Sequence, residues 1–389
     1  MNIAFCYESV LPARGGCEHY ISDLARRLAR DGHSVHLYAC RWDASALPTT
    51  MHYHRLPAPH GPRFLRPWRF AQTCEDALKG QGHDVTMGFD KTWGQDVLYP
   101  QGGLHAASAA QNLLKHPPGL ARLGARLVKY LDPASRSFRQ LERKQYLSEK
   151  RPLIVVNSRM VQRHFEQYYD IAPSEVHVLP SAIDPDRFSQ EDRPRRRFEE
   201  RARWGVADDE TAGLLVAMNY RLKGLAPLLH SLRHVPSSSK FKIAIVGAAN
   251  YKRYETLAKK LGVTDRVRFL GFRADPSDAY FAADFLVHPT FYDPCSLVVL
   301  EALCCGLPVI TTRYNGASEL ITPPNEGLVI DDPHDHRELG TAIASMLDPA
   351  VRSARAAAAR QTARRWSFEG HYQKLMEIFG RVSKRRMAA

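Results

Sequence analysis

HPTFYDPCSLVVLEALCCGLPVITT, residues 288–312, reads as one strand–loop–helix–strand unit. An apolar run, Phe285–His288, enters it. A polar loop carrying Asp293 follows, then an apolar stretch, Ser296–Cys304, whose length suits a helix. Gly306 stops that helix, and Pro308–Thr312 opens the next strand. Strands alternating with helices in this way build a parallel sheet. Asp293 and Glu301 stand eight residues apart, about two helical turns. The expectation is that Asp293 lies in the loop and Glu301 projects from the helix to the same side. The N–H groups of Ser296, Leu297 and Val298 open the helix and are suited to meet a phosphate. Glu301 has the geometry to accept two vicinal hydroxyls, as on a ribose. The rival readings are a helix N-cap for Asp293 and a buried structural carboxylate for Glu301.

Outward from this unit the same alternation continues. Toward the N-terminus stand apolar runs at Gly213–Asn219, Lys242–Gly247 and Val267–Gly271, with helical periodicity over Gly224–His234, Tyr251–Leu261 and Asp275–Ala283. An earlier series has runs at Ile3–Tyr7, Val35–Ala39, Val85–Gly88 and Leu153–Asn157, with a helix predicted over Gly16–Arg30. Two βα series of similar size predict an α/β protein of two Rossmann-like, doubly wound domains, residues 1–176 and 177–365. Gly15-Gly16 follows the first strand and opens a helix. It suits close approach of backbone to a phosphate, though a tight turn also uses glycine. Arg221-Leu222-Lys223-Gly224 follows a strand of the second series, where cations face the ligand crevice of an α/β sheet. They can hold the charge developing on a diphosphate leaving group; a solvated basic loop is the plainer reading. The run Arg352–Arg365 is biased to Ala and Arg, and reads as an exposed helix.

The net charge is +13, which favours nucleic acid, anionic membranes or phosphorylated ligands as partners. A nucleic-acid module would interleave aromatics with Lys and Arg on one surface. That pattern is absent, and no nucleic-acid partner is expected. Basic clusters lie at 122–150, 193–203 and 384–386. The opening residues lack a secretory signal, no apolar run reaches the ~20 residues of a membrane span, and seven scattered cysteines fit neither a disulfide framework nor a zinc site. A cytoplasmic location is expected. Residues 104–147 read as a helix-rich insertion. In LARLGARLVKYL, Leu120, Leu123, Leu127 and Leu131 mix with Arg122, Arg126 and Lys129, as in a basic amphipathic helix lying on an anionic leaflet. A helix packed on the domain with a solvated basic face is the alternative.

The opening stretch resembles the signature of the retaining glycosyltransferases of family 4, which have the GT-B fold: two acidic residues separated by seven, then a G-x-P-V-I strand. Gly15-Gly16, VVNSRMVQRHF at 155–165, LPSAIDPDRF at 179–188, Lys223-Gly224, VRFLGF at 267–272 and Asn315-Gly316-Ala317 fall in the family's order. AFCYESVLPARGG and GFDKTWGQDV bring the chain nearest to the lipopolysaccharide-core glucosyltransferases that act on inner-core heptose. The resemblance implies two domains facing each other across a cleft, the first binding the acceptor and completed by residues 366–389, the second binding the nucleotide-sugar. It implies that Gly15 and Gly16 approach the donor phosphates and that Arg221 and Lys223 hold the diphosphate. Phe272 and Arg273 would lie beside the base, Asp293 would touch sugar hydroxyls, and Glu301 would hold the ribose. His105, after Gly102-Gly103, would sit near the reacting sugar, unless it is a plain surface histidine.

The expected reaction moves a hexose, with UDP-glucose first among donors, to a saccharide or lipid-linked saccharide such as lipopolysaccharide core. Another donor in exopolysaccharide or glycolipid synthesis is the alternative, and a sugar-nucleotide epimerase a distant one. No cofactor or metal is expected, and Asp184-Pro185-Asp186 reads as a turn. The chain departs from the family in four places. Asp293 replaces the usual Glu, Leu222 separates Arg221 from Lys223, and Tyr20 stands where relatives have Asp. An aspartate following the equivalent of 97–103 has no counterpart.

Overall fold

The computed structural model describes residues 1–12, 15–188 and 192–387. The chain forms two compact units. Met1–Ala182 with Phe368–Ala389 make the first, and Ile183–Ser367 the second.

The first unit is built on seven parallel strands: β1 (Asn2–Cys6), β2 (Ser34–Ala39), β3 (His52–Arg55), β4 (Val85–Gly88), β5 (Val97–Leu98), β6 (Leu153–Val156) and β7 (Val176–Val178). Their order is β3-β2-β1-β4-β5-β6-β7. The order reverses at β1, and α/β sheets bind ligands beyond the carboxyl ends of the strands at such a switch point. A short parallel pair, Ser9–Val10 with Arg41–Trp42, stands apart from the sheet. The helices are α1 (Gly16–Arg30), α2 (Arg66–Leu78), α3 (His105–Leu114), α4 (Leu120–Leu131), α5 (Pro133–Tyr146) and α6 (Arg159–Tyr169). Alternation along β1 sends Ile3 and Phe5 to one face, where Ile21, Leu24 and Leu28 of α1 cover them. Ala4 and Cys6 go to the other, under Phe70 and Cys74 of α2.

The second unit repeats the plan. Its helices are α7 (Arg193–Trp204), α8 (Leu225–Ser231), α9 (Lys252–Leu261), α10 (Ser277–Ala282), α11 (Leu297–Cys304), α12 (His336–Ser345) and α13 (Pro349–Arg365). Strands β8 (Thr211–Ala217), β9 (Phe241–Gly247), β10 (Val267–Gly271), β11 (Phe285–His288), β12 (Val309–Thr312) and β13 (Gly327–Ile330) are ordered β10-β9-β8-β11-β12-β13, with the switch point at β8. Leu214, Ala244 and Leu286 face one core; Leu215, Ile243 and Val287 face the other.

The expected join near 176 lies six residues later. Val176–Val178 pair with Ile154–Val156, so the first sheet retains them, and the units divide after Ala182. The last helix, α14 (Phe368–Met387), contributes Tyr372, Leu375, Phe379 and Val382 to the first unit's core. There Tyr20 finds its use. The buried His371 ring meets the Pro180 carbonyl through Nδ1 at 2.8 Å and the Tyr20 hydroxyl through Nε2 at 2.7 Å. A carbonyl only accepts, so Nδ1 carries the proton and Nε2 accepts from Tyr20. Burial pushes the His371 imidazole down to about 4, which keeps it in that neutral tautomer. Tyr20 is thereby part of a bolt between α1 and α14.

Among the described residues, no helix is long and apolar enough to cross a membrane.

Candidate active site

In the second unit, the loop after β8 carries Arg221 and Lys223 and the loop after β11 carries Asp293. The two loops are stitched together: Phe291 N–H donates to the Leu222 carbonyl at 2.9 Å, and the Thr290 hydroxyl donates to the same oxygen at 3.2 Å. Gly224 makes this possible. It sits at φ +77°, and a Cβ there would lie 2.0 Å from the Pro289 carbonyl oxygen. The stitching puts Lys223 Nζ in a hydrogen-bonded ion pair with Asp293 Oδ2. His288 Nε2 lies 3.5 Å from the same oxygen. Burial alone would raise the Asp293 carboxyl, but the Lys223 ammonium, with His288, holds it well below the usual carboxylate range. Burial pushes the His288 imidazole down. The result is a fixed carboxylate with an oriented ammonium at the carboxyl ends of adjacent strands.

Asp293 is not the N-cap of α11; that position belongs to Ser296. The Ser296 N–H, expected to meet a phosphate, donates instead to Asn315 Oδ1 at 3.2 Å, which also receives the Ala317 N–H at 3.1 Å. The N–H groups of Leu297 and Val298 remain at the mouth of the helix, ahead of its first ladder bond. Glu301 is buried at 6% exposure. Its Oε2 accepts from the Tyr280 hydroxyl at 2.6 Å and its Oε1 from Arg187 at 3.2 Å. Both oxygens are thus held, one by a phenol and one by a guanidinium. Phe272 is exposed just beyond β10. Arg273 is paired with Glu200 at 2.7 Å, so its guanidinium is already oriented by a carboxylate. Asp184-Pro185-Asp186, read as a turn, leads into a short 3-10 helix at Pro185–Phe188.

In the first unit, Gly15 is the N-cap of α1, at φ −175°. That is extended backbone open to any residue, so the conformation does not demand glycine; what glycine leaves room for is the Glu18 carboxylate, which lies 2.8 Å from where a Cβ would sit. Ala13 and Arg14, just before it, lie outside the described residues. At the carboxyl ends of β1, β4 and β5 a cavity of about 470 Å³ is lined by Tyr7, Glu18, Asp90, Lys91, His105 and Glu142, among others. Asp90 follows β4 at φ +55°, a left-handed conformation that aspartate tolerates better than most residues. Backbone held this way clusters at functional sites. Its Oδ1 accepts the Gly102 N–H at 2.8 Å. Burial raises the Asp90 and Glu142 carboxyls and lowers the Lys91 ammonium. Glu142 grips the start of α3, accepting from the N–H groups of His105 and of Ala106, the latter at 3.1 Å, and from the Tyr169 hydroxyl at 2.5 Å. The His105 ring meets the Phe138 edge with 4.9 Å between centroids, and its Nε2 is buried without a hydrogen-bond partner. Burial, then the charges of Lys91, Lys129 and Arg139, push this imidazole down to about 4. It is neutral at pH 7, and half-buried rather than a surface histidine.

Lys223 and Asp293 are therefore brought into contact, Glu301 lies in the same unit with partners of its own, and His105 lies in the other unit's cavity. Sequence reasoning gave no role to Asp90, Lys91, Glu142, His288 or Tyr280. Asp90 and Lys91 were findable, because they directly follow a parallel strand, where α/β ligand sites form. Glu142 was not, since it stands 37 residues from His105.

Residues 14–187 match the profile described as Glycosyltransferase Family 4, and residues 196–366 that of Glycosyl transferases group 1. The lipopolysaccharide glucosyltransferase WaaG of Escherichia coli (strain K12) is 28% identical over 89% of this chain and 90% of its own length. A crystal structure of WaaG, described as a glycosyltransferase involved in lipopolysaccharide biosynthesis, superposes with a TM-score of 0.82 at 27% identity, covering 97% of this chain and 99% of that one. Anabaena HepE, solved in complex with UDP-glucose, shares the fold at a TM-score of 0.71 and 20% identity, with 98% and 99% covered.

Proposed function

Because the chain belongs to the glycosyltransferases of family 4 and group 1, with the GT-B fold, we propose that it transfers glucose from UDP-glucose to a lipid-linked saccharide of the lipopolysaccharide-core type, with retention of configuration. The observation that carries this is the Lys223–Asp293 pair beside the opening of α11. Lys223, Arg221 and the N–H groups of Leu297 and Val298 take the diphosphate. Glu301, pre-aimed by Tyr280 and Arg187, takes the ribose hydroxyls. Phe272 and Arg273 flank the base, and Asp293 orients the hexose. Gly15 and Gly16, at the start of α1, approach the donor phosphates. The first unit's cavity takes the acceptor, with neutral His105 Nε2 free to bond a sugar hydroxyl.

In the reaction, the bond from the anomeric carbon to the diphosphate oxygen breaks, and the acceptor oxygen bonds to the same face. Its proton passes to an oxygen of the departing diphosphate. The Lys223 and Arg221 charges stabilise that group as it leaves, so no metal is required, and EDTA should leave the rate unchanged. WaaG and HepE support the choice of donor, since WaaG is a lipopolysaccharide glucosyltransferase and HepE was crystallised with UDP-glucose.

Thermal denaturation with a panel of nucleotide-sugars tests this reading. A ligand at ~100 times its dissociation constant stabilises by roughly 2.7 kcal/mol. Stabilisation is expected with UDP and UDP-glucose and is expected to vanish in Glu301→Ala. A folded protein indifferent to every nucleotide would overturn the assignment.

The same proposal places α4 on an anionic membrane leaflet. This helix buries none of its residues. Leu120, Leu123, Leu127, Val128 and Leu131 are each at least 60% exposed, and Arg122, Arg126 and Lys129 lie among them. Six exposed apolar contacts of this size, Tyr130 included, gain nothing in water and suit the headgroup boundary. Leu123→Asp with Leu127→Asp should abolish co-sedimentation with phosphatidylglycerol vesicles while leaving donor binding intact. Undiminished sedimentation of that variant would remove α4 from the membrane.

A further inference from the structure

The first unit has a second cavity, of about 580 Å³, at the amino ends of β5 and β6. Three separate elements deliver cations to it. Lys144 comes from α5, Lys150 and Arg151 from the segment entering β6, and Arg385 and Arg386 from the end of α14. All five are exposed. Two carboxylates share the lining, and both are engaged. Glu75 accepts from Trp93 Nε1 at 2.9 Å. Asp96 accepts from the Thr86 N–H at 2.8 Å, the Thr86 hydroxyl at 2.7 Å and Arg386 at 3.1 Å. Arg151 leans on Glu175 at 2.9 Å, and the Lys144 ammonium lies 3.8 Å from the Trp93 ring centroid. Lys150 and Arg385 have no counter-carboxylate among the described residues. Folding thus gathers like charges from distant parts of the sequence around one hollow, an arrangement that costs Coulomb energy and that an anion would relieve.

The hollow is separate from the cavity described above. The strands run from one to the other: Asp96 and Leu153 stand at their starts, whereas Asp90 and Gly102 stand past their ends. Helix α5 serves both, because Glu142 and Gln145 face the first cavity while Lys144 points to the second. A guanidinium fork beside an ammonium suits the oxygens of a phosphate, and the lining carries no third carboxylate to oppose it. We propose that this groove is a second anion site, taking a phosphate monoester or diester on the first unit, apart from the donor's diphosphate.

The test uses the full chain and a Lys150→Ala/Arg385→Ala variant with an unchanged melting temperature. Pyrophosphate titrated by calorimetry should show a saturable component that weakens about tenfold or more in this variant, is lost at high salt and persists in Lys223→Ala. UDP binding should do the reverse, surviving the groove variant and failing in Lys223→Ala, so the two sites are told apart. In a second arm, vesicles of phosphatidylglycerol with phosphatidylcholine are compared with phosphatidylcholine alone. A weaker response to phosphatidylglycerol in the groove variant, without a pyrophosphate component in the wild type, identifies a lipid headgroup as the source; pyrophosphate binding without a vesicle effect identifies a soluble phosphate. Equal behaviour of variant and wild type in both arms overturns the site. If the variant fails to fold, Lys150→Gln alone replaces it, with the same readings.

Discussion

Lys223→Ala is expected to lower kcat/KM for sugar transfer roughly 100- to 1,000-fold, about 2.7–4 kcal/mol, the range seen when one preorganised donor to a developing negative charge is removed. The ammonium is held at Asp293 before any ligand arrives, so no reorganisation is needed as the diphosphate departs. Its loss should weaken UDP as well as UDP-glucose, because the diphosphate is common to both. The variant also leaves Asp293 with only the His288 imidazole, at 3.5 Å, as its near titratable neighbour among the described residues. Burial then acts on the carboxyl with less opposition, and its pKa rises. A fall in melting temperature should accompany the loss of rate, since a buried charge without its partner is costly. Rates measured well below melting, with UDP affinity from calorimetry, separate the two effects. Transfer at the wild-type rate would mean that another cation carries the leaving group.

The second large effect is on stability. Gly224→Ala should destabilise by about 2–5 kcal/mol, combining left-handed strain with overpacking. The added methyl would lie 2.0 Å from the Pro289 carbonyl oxygen. Pro289 has little freedom to withdraw, because Leu222 holds the next two residues through its carbonyl. Melting should fall by roughly 5–20 °C, and UDP should no longer stabilise what remains folded. Gly262→Ala is the matched comparison: its φ is +68° but no atom lies within 4 Å of the added methyl. It should lose only the strain, about 1–2 kcal/mol. Equal melting of the two variants would show that the close approach of the two loops does not matter.

The strands of the second unit were legible because each is a short apolar run with a clear stop. Val267–Gly271 and Phe285–His288 stand where the pattern put them. Expected boundaries drifted where partners set them. Gly213–Asn219 is Thr211–Ala217 in the sheet, because its pairing with Phe241–Gly247 begins at Thr211. The helix expected over Gly224–His234 tightens into a 3-10 turn at Leu232–His234, a frequent ending of short helices. At the site, spacing pointed to Asp293 and Glu301 but not to what each touches. The Glu301 partners come from α10 and from the segment before α7, 21 and 114 residues away, and no local pattern encodes such distances. The Ser296 N–H looked free because its acceptor, Asn315, arrives from beyond β12.

The His371 bolt bears on how the chain is made. The first unit's core needs α14, whose sequence follows the whole second unit. Domains fold as they emerge during synthesis, at about 5–20 residues per second, yet here the part begun first is the part finished last. Through roughly 10–40 s of translation of the intervening 185 residues, β1 and α1 would wait with Tyr20 unpaired and the apolar seat of Leu375 and Phe379 uncovered. Closure of the first unit's core therefore waits on the emergence of α14.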